Sequence, residues 1–242
     1  MSPLHALTFD FWGTLYPNAS GEEARLDLLG EALARHGFPR TRDELRAAHA
    51  SAWEVFKRAW LEERRSLPMR RWITEMLAFL EADLPPEVQA ALCRPLEDVF
   101  LSGTGERPLP VPGVTEVLPR LARRYRLGLI SDVGLTPGRV LTELLRRDGL
   151  LPCFGALTFS DDTGITKPTP AVFLRTLERL GARPEAAAHI GDLPETDVAG
   201  ARAVGMHAIL FLGVSNRTDG CALASAVFGR YDDLEALLES LG

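Results

Sequence analysis

Four short, mainly apolar segments in the second half of the chain constrain its fold more than any other feature. They are RLGLIS at 126–131, ALTF at 156–159, AAHIG at 187–191 and HAILFL at 207–212. Apolar runs without regular polar alternation are typical of strands that are buried on both faces of a parallel sheet. The segments between them, such as GRVLTELLRRDG, have helical periodicity and predict crossover helices. We therefore expect an α/β fold with a doubly wound parallel sheet.

The first half of the chain has a different pattern. A strand is predicted from Leu4 to Phe11, and about ninety residues of helical periodicity follow it. Breaks that contain proline divide this stretch into about four helices. A chain of 242 residues is long enough for one core and a smaller second domain. We expect an α/β core made of residues 1–16 and 108–242, with residues 17–107 inserted as a helical-bundle cap domain.

Composition excludes several classes of protein. The chain is 46% apolar and 25% charged, which is the mixture of an ordinary globular protein. A net charge of -6 argues against nucleic-acid binding, which normally shows as a basic excess. No apolar run approaches the roughly 18 residues of a membrane span, and the N-terminus lacks a signal segment. We expect a cytoplasmic protein, either a monomer or a homodimer, whose three cysteines are small buried hydrophobic residues.

Polar side chains follow the predicted strands where each strand ends. Asp10 closes the first strand, Ser131 and Asp132 the second, residues 160–162 the third and Asp192 the fourth. Ligands of open parallel sheets bind at the carboxyl ends of the strands, so these side chains are candidate site residues. Any one of them could instead cap the helix that follows. Helix capping is a weaker explanation when polar residues stand at the ends of all four strands.

One lysine departs from the composition of the rest of the chain. Of the 27 basic residues, 25 are arginine, and only Lys57 and Lys167 are lysine. Lysine is a compact point charge whereas arginine is a planar fork, so the two are not interchangeable where geometry is tight. Lys167 is also followed by proline in the segment TKPTPAVF. We therefore interpret Lys167 as a site residue instead of a solvated surface lysine.

Four motifs in order resemble those of the haloacid dehalogenase (HAD) superfamily. They are FDFWGTL, LIS ending at Ser131, TKPTPAVF and HIGDLPETDVAGARAVG. The resemblance covers residues 1–16 and about 108–235, and the helical insert is similar to the C1 cap of that superfamily. It implies a hydrolase with a Rossmann-like core and a helical cap, acting on a small phosphorylated molecule.

The resemblance also implies roles for individual residues. Asp10 would be the nucleophile and would form an aspartyl-phosphate, which divides one difficult substitution into two easier ones. Lys167 would supply positive charge to the nucleophile and to the phosphoryl oxygens. Ser131 and Thr14 would donate their hydroxyls to phosphate. A phosphoryl group needs such cations and donors because its charge is spread over several oxygens.

A magnesium site is implied at the same place. Asp10 and Asp192 offer two hard oxygen ligands, and the backbone carbonyl of Trp12 could add a third, which suits Mg²⁺. Asp197 would orient the water molecules of the metal or would contact Lys167. Alternatively, Asp197 is an acidic residue that a helix N-terminus stabilises.

Trp12 departs from the superfamily pattern. Phosphatases of the superfamily usually carry an aspartate two positions after the nucleophile as general acid and base. Three hypotheses are therefore open. The first is a Mg²⁺-dependent phosphatase in which Asp132 or a cap residue supplies the acid, or whose leaving groups need little protonation. The second is a 2-haloacid dehalogenase that uses Asp10 without metal. The third is a HAD-fold binding or regulatory module without turnover.

The insert itself carries aromatic and basic residues that we interpret conservatively. Trp53, Trp60 and Trp72 are expected in the core of the helical bundle, and not as a stacking platform. A cluster of arginines is expected on a solvated face, since charge runs usually are. Its members are Arg64, Arg65, Arg70 and Arg71.

Overall fold

The computed structural model describes residues 3–241, which contain a six-stranded parallel sheet. The strands are β1 (Ala6–Phe9), β2 (Arg126–Ser131), β3 (Phe154–Phe159), β4 (Ala187–Gly191), β5 (His207–Phe211) and β6 (Ala226–Phe228). Their order is β3-β2-β1-β4-β5-β6, and every neighbouring pair is parallel. The chain thus builds the sheet outward from β1 in one direction and then in the other. This doubly wound arrangement confirms the predicted fold class.

The predicted strands agree closely with those observed. β2 and β4 have the predicted bounds, whereas β1 is shorter than the predicted segment at each end. β6 was not predicted, because its three residues are too few to show any periodicity. It lies at the edge of the sheet, next to β5.

Residues 3–241 also contain ten α-helices. They are α1 (Glu22–Arg35), α2 (Arg42–Leu61), α3 (Met69–Phe79), α4 (Pro86–Glu97), α5 (Val114–Leu121), α6 (Gly138–Arg147), α7 (Ser160–Thr163), α8 (Pro170–Leu180), α9 (Ala199–Ala203) and α10 (Leu234–Leu241). Helices α1 to α4 are the four expected from the periodicity of the insert.

Local signals explain where two of these helices begin and end. At the start of α2, the Thr41 hydroxyl accepts a hydrogen bond from the Glu44 backbone N–H, and the Glu44 carboxylate accepts one from the Thr41 backbone. This reciprocal capping box satisfies two amide groups that a helix start leaves without partners. At α8, Pro170 occupies the first helical turn and Gly181 ends the helix with a positive φ. Both residues suit those positions.

The insert has its own hydrophobic core. One buried cluster is formed almost entirely by α1 to α4 and centres on Trp72, which is fully buried. Leu135, from the loop after β2, is the one contribution from outside the insert to this cluster. A separate core supports the helical bundle, and the division of the chain at residues 17 and 107 into two domains stays a prediction.

The loop after α2 is hydrogen-bonded to the sheet side of the molecule. The backbone N–H of Ser66 donates to the Gly164 carbonyl at 3.3 Å, and the N–H of Thr166 donates to the Arg64 carbonyl at 3.2 Å. The Thr166 hydroxyl also donates to the Trp60 carbonyl at 3.1 Å. These contacts hold the end of α2 against the segment that precedes Lys167. The insert therefore lies over the carboxyl ends of the strands.

Arg25 of α1 is a second contact between the insert and the loop after β2. Its guanidinium is fully buried and donates to the carbonyls of Leu96 and Leu135 and to the Thr136 hydroxyl. Burial lowers the pKa of Arg25 to about 10, so it stays charged at neutral pH. Because a buried cation must be hydrogen-bonded, this residue fixes α1 against α4 and the loop.

Two expectations drawn from composition can be compared with the fold. Among residues 3–241, none of the helices has both the length and the apolar character that crossing a bilayer requires. The three cysteines are free thiols and are half-buried, so the expectation that they are fully buried was wrong. They lie at helix and loop positions near the surface of the core clusters instead.

We predict that Phe173→Ala destabilises the protein by about 3–5 kcal/mol, because the ring is fully buried and leaves a cavity. The ring also packs edge-on against His189, at 5.1 Å between centroids. Its neighbour Leu174 is 46% exposed, and Leu174→Ala should change the free energy of unfolding by only about 0.5 kcal/mol. Urea unfolding followed by circular dichroism measures the free energy of unfolding of both variants. Equal decreases in the two variants would contradict the assigned burial.

Candidate active site

Asp10 lies at the carboxyl end of β1, in the middle of the sheet. Its backbone N–H donates to the Ile190 carbonyl of β4 at 2.9 Å, which continues the pairing of the two strands by one residue. Its carboxylate is 6% exposed. β1 lies where the strand order reverses, and this is the position at which doubly wound sheets bind ligands.

Lys167 joins two carboxylates in this position. Its Nζ lies 2.6 Å from Asp10 Oδ1 and 2.6 Å from Asp197 Oδ1, and the residue is 2% exposed. Burial lowers the pKa of Lys167, but the carboxylates of Asp10, Asp197 and Asp132 outweigh burial and raise it overall. The lysine is therefore a fixed positive charge beside Asp10.

Asp197 is held from several sides. It lies in a π-helical turn, Pro194–Val198, directly before α9, and its Oδ2 accepts from the Leu193 N–H at 3.0 Å. Its Oδ1 accepts from Lys167 and from His189 Nε2, the latter at 3.0 Å. Burial raises the pKa of Asp197, but Lys167 and the His189 hydrogen bond lower it below its usual range. Asp197 thus contacts Lys167, and its role in orienting the lysine or the water molecules of a metal stays a prediction.

His189 is a member of this cluster that the sequence analysis missed. Burial lowers its pKa, so the ring is neutral. An ionised carboxylate can only accept, so His189 Nε2 carries the proton, and Nδ1 accepts from the Thr8 hydroxyl at 2.8 Å. The available signal was a polar residue within AAHIG, a strand buried on both faces.

Two glycines allow the backbone to pass close to these carboxylates. A Cβ on Gly13 would lie 2.2 Å from Asp192 Oδ2, and a Cβ on Gly191 would lie 2.2 Å from Asp197 Cγ. Gly13 also has a φ of +72°, which favours glycine over other residues. Any side chain at either position would displace a carboxylate of the site.

Three predicted site residues have buried polar atoms without partners. Within residues 3–241, the Ser131 and Thr14 hydroxyls and Asp192 Oδ1 have no hydrogen-bond partner. The other oxygen of Asp192, Oδ2, accepts from the Ser215 hydroxyl. Since buried polar atoms are normally paired, these three atoms are suited to a bound ligand.

The carboxylates of Asp10, Asp192 and Asp197 form a compact acidic cluster. Each offers an oxygen, and these oxygens all lie within 4.8 Å of one another. Burial, followed by the charge of Asp197, raises the pKa of Asp192 to about 6. Three carboxylates against the single ammonium of Lys167 leave an excess of negative charge. A divalent cation bound by hard oxygen atoms would offset it, so the donor set fits Mg²⁺.

Asp132 follows β2 and connects the site with the insert. Its Oδ1 accepts from the Lys167 backbone N–H at 3.1 Å, and its Oδ2 accepts from Trp60 Nε1 at 2.9 Å. Burial raises the pKa of Asp132 to about 6, against the opposing effects of Lys167 and Trp60. Asp132 is therefore partly protonated in mildly acidic solution.

A cavity of about 730 Å³ lies between the strand ends and the insert. Asp10, Asp132, Lys167 and Asp192 line it on the sheet side. The insert contributes mainly α1, α2 and the loop after α2. The lining residues from there are Glu22, Arg46, His49, Ala50, Trp53, Phe56, Trp60, Arg65, Ser66 and Leu67.

This cavity corrects the expectations for the insert. Trp72 is in the bundle core, as expected, but Trp53 and Trp60 line the cavity instead. Arg65 is exposed, as expected of a solvated face, and it also lies at the edge of the cavity. Arg46 and His49 were not singled out in the sequence. Helical periodicity shows that these residues share a face, and not which neighbour that face meets.

Trp12 faces the same cavity and is half-buried. Its ring packs edge-on against Phe11, with centroids 4.8 Å apart, and lies 6.0 Å from the ring of Phe100. The second position after Asp10 therefore presents apolar surface, where a carboxylate would have offered a proton.

Comparisons with known proteins agree with this geometry. Glyceraldehyde 3-phosphate phosphatase from Methanopyrus kandleri is 28% identical over 205 residues, which cover 84% of this chain and 82% of the relative. Ribulose-1,5-bisphosphate 5-phosphatase from Halopiger xanaduensis is 29% identical over 218 residues, which cover 85% and 84%. The crystal structure of a 2-haloacid dehalogenase from Pseudomonas syringae pv. Tomato matches with a TM-score of 0.72 and 27% identity, over 99% of this chain and all of the other.

A family model described as haloacid dehalogenase-like hydrolase matches residues 4–205. It covers both sides of the insert and each of the four motifs. The chain therefore belongs to the haloacid dehalogenase-like hydrolases, the family that its motifs predicted.

Proposed function

We propose that this hydrolase is a Mg²⁺-dependent phosphatase that acts on a small phosphorylated metabolite through Asp10. The observation that carries the proposal is the buried contact between Asp10 and Lys167, at 2.6 Å. Ser131, at the end of the neighbouring strand β2, and Thr14, four residues after Asp10, add buried hydroxyls that have no partner within residues 3–241. Positive charge and hydrogen-bond donors around one carboxylate are what phosphoryl transfer requires. The two relatives, which are both phosphatases, also support it.

In the proposed reaction, an oxygen of Asp10 forms a bond to phosphorus while the ester P–O bond breaks. The electron pair of that bond stays with the leaving oxygen. Lys167, Ser131 and Thr14 stabilise the charge on the remaining phosphoryl oxygens. Water then attacks the aspartyl-phosphate, which releases inorganic phosphate and restores the Asp10 carboxylate.

Asp10 and Asp192, with the Trp12 carbonyl, are the residues proposed to hold Mg²⁺. Bound there, the ion would neutralise charge on the phosphoryl oxygens and act as a Lewis acid. Asp197 is the less suitable ligand, because its two oxygens already accept hydrogen bonds from Lys167, His189 and Leu193. We assign Asp197 to holding Lys167 in place.

Trp12 cannot donate a proton to the leaving group. Asp132 is the carboxylate in the cavity that is best suited to supply it, because its pKa of about 6 leaves a protonated fraction. A general acid whose pKa is near the working pH is the most effective. Above about pH 6 Asp132 ionises, and the enzyme then depends on leaving groups that need little protonation.

A metal-independent 2-haloacid dehalogenase is the second candidate. The aromatic residue at Trp12 and the likeness to the Pseudomonas dehalogenase favour it. Halide leaves without a proton and gives no reason for clustering Asp192 and Asp197 with Asp10, so the acidic cluster favours the phosphatase.

We expect the purified protein to hydrolyse phosphate monoesters with Mg²⁺ and to leave 2-haloacids unchanged. A panel of both substrate classes, with Mg²⁺ and with a chelator, measures this by release of phosphate or halide. Turnover of a 2-haloacid in the presence of chelator would establish the dehalogenase instead. No turnover of either class would favour a binding or regulatory module.

We predict that Asp192→Asn weakens Mg²⁺ binding at least about 100-fold, because it removes one of two anionic ligands, and even changes outside the ligand set cost about 10- to 100-fold. Isothermal titration calorimetry measures the dissociation constant. Asp162→Asn is the matched control, since Asp162 is an exposed carboxylate that also follows a strand but does not line the cavity. Parent-like affinity in Asp192→Asn would show that the metal site is wrong.

We predict that the parent enzyme at pH 8 cleaves para-nitrophenyl phosphate faster than an alkyl phosphate by a factor on the order of 10² to 10⁴ in kcat/KM. A positioned general acid accelerates the reaction by about this factor, and an aryl oxide can leave without the help of an acid. Trp12→Asp should narrow the ratio by restoring a carboxylate. Thermal unfolding of the variant is its control, since losing a packed aromatic side chain can cost about 3–5 kcal/mol.

The pH dependence of the same ratio tests Asp132. The raised pKa keeps the acid form present below about pH 6, so the aryl-to-alkyl ratio should shrink as the pH falls from 8 to 5. In Asp132→Asn the ratio should not change with pH. A flat ratio in the parent enzyme would remove Asp132 as the acid, and a ratio near one at pH 8 would assign the acid to another residue.

A further inference from the structure

One face of α2 lines the cavity, although Phe56 in the middle of this face is also packed in the core of the bundle. Trp53, Phe56 and Trp60 recur at intervals of three and four residues, which places them on one side of the helix. All three line the cavity. Trp12 lines the same cavity from the sheet side. We call Trp12, Trp53, Phe56 and Trp60 together the aromatic wall.

The position of Trp53 is not explained by packing within the bundle. Its side chain is 36% exposed, and its ring stacks on Phe56 with centroids 6.4 Å apart and planes 14° apart. The ring reaches across the cavity, since a Cβ on Gly134, in the loop after β2, would lie 4.0 Å from Trp53 Cη2. A large aromatic surface is thus presented to the cavity from the insert.

Trp60 closes the wall beside the proposed catalytic residues. Its Nε1 donates to Asp132 Oδ2 at 2.9 Å, and its carbonyl accepts from the Thr166 hydroxyl, next to Lys167. These two contacts fix the orientation of the ring. The wall therefore begins where the phosphoryl group of a substrate would be bound, and it continues along α2 through Phe56 and Trp53.

The polar residues of α2 lie further along the helix. At a rise of 1.5 Å per residue, His49 and Arg46 are about 16 Å and 21 Å from Trp60. On the α2 side, a triose or pentose phosphate bound at Asp10 would place its hydroxyls against the aromatic wall, whereas polar residues such as Asn18, Ser20 and Ser66 line the cavity from outside α2. Hydroxyls without hydrogen-bond partners are costly to bury, so this side of the cavity disfavours sugars.

We propose that the cavity recognises a phosphate monoester of a phenol, that is, a substrate whose ester oxygen is bonded directly to a flat aromatic ring. This inference rests on the proposed phosphatase function and names its substrate class. Aromatic walls bind flat rings through stacked and edge-to-face contacts in addition to apolar burial. A substrate of this kind fits a cavity that is aromatic beside its catalytic end.

The residue at position 12 supports the same class of substrate independently. When Asp10 attacks phosphorus, the ester bond breaks and its electron pair stays on the phenolic oxygen. A phenoxide is a weak base that leaves without a proton and takes one from water afterwards. Trp12 supplies no acid, and a phenol is the leaving group that needs none.

Binding of non-hydrolysable phosphonates tests the recognition of the ring without turnover. Isothermal titration calorimetry would compare 2-naphthylmethylphosphonate, cyclohexylmethylphosphonate and methylphosphonate in the presence of Mg²⁺. We expect the naphthyl compound to bind about twofold to tenfold more tightly than the cyclohexyl one, since a stacked aromatic pair adds about 0.5–1.5 kcal/mol beyond burial. Equal affinities of the two would overturn the inference.

Trp53→Leu should weaken naphthyl binding about threefold to tenfold and leave methylphosphonate binding unchanged. Trp53→Phe should restore most of the affinity, because it restores an aromatic ring. Phe79→Leu is the matched control, since Phe79 is an aromatic residue of the insert that is 50% exposed and does not line the cavity. An equal loss in Trp53→Leu and Phe79→Leu would contradict the assignment.

Turnover separates this inference from the proposed function. We expect 2-naphthyl phosphate to be hydrolysed faster than 2-naphthylmethyl phosphate, in which a CH₂ group separates the ring from the ester oxygen, and faster than cyclohexyl phosphate. The reverse order for the two naphthyl esters would overturn the direct bond to the ring. Naphthyl-selective phosphonate binding without hydrolysis of any ester would refute the phosphatase and keep the ring recognition. Hydrolysis of all the esters without selective phosphonate binding would support the phosphatase and refute the recognition of the ring.

Discussion

The site depends on one buried cation. Lys167 is almost completely enclosed, and a buried ammonium is tolerated only when anionic partners surround it. Asp10 and Asp197 are those partners, each at 2.6 Å. Asp197 in turn requires His189 and the π-helical turn at the start of α9 to hold it. Gly191 follows from the same constraint, because a Cβ there would lie 2.2 Å from Asp197 Cγ, and Gly13 leaves room for Asp192 in the same way.

Much of this arrangement could be predicted from the sequence, because strand ends of a parallel sheet meet at one edge. Asp10, Ser131 and Asp192 were found in this way. The rule held only in part at β3: Ser160 lines the cavity, whereas Asp161 accepts a hydrogen bond from the Gly138 N–H and so stabilises the start of α6. β3 is an edge strand, so a residue at its end is further from the centre of the sheet, and capping a helix is the simpler role.

The parts that could not be predicted depend on which surfaces meet. α2 buries one stripe in the bundle, including Leu45, Ala48 and Ala52, and turns another toward the cavity. Both stripes have helical spacing and apolar residues, so periodicity alone predicted that Trp53 and Trp60 lie in the bundle core. Only the docking of the loop after α2 onto the segment before Lys167 determines which stripe meets the strand ends.

The two halves of the cavity consequently have different physical tasks. The sheet edge supplies charge, because each of its functional residues is a carboxylate, an ammonium or a hydroxyl at the end of a buried strand. The insert supplies the aromatic surface of α2 together with polar residues, and its indole N–H at Trp60 reaches the sheet side to hold Asp132. Trp12 lies where these two environments meet, directly after the proposed nucleophile. A tryptophan there extends the aromatic surface to the reacting group and removes a proton donor from it. Choice of leaving group and recognition of its ring are therefore coupled through one position in the sequence.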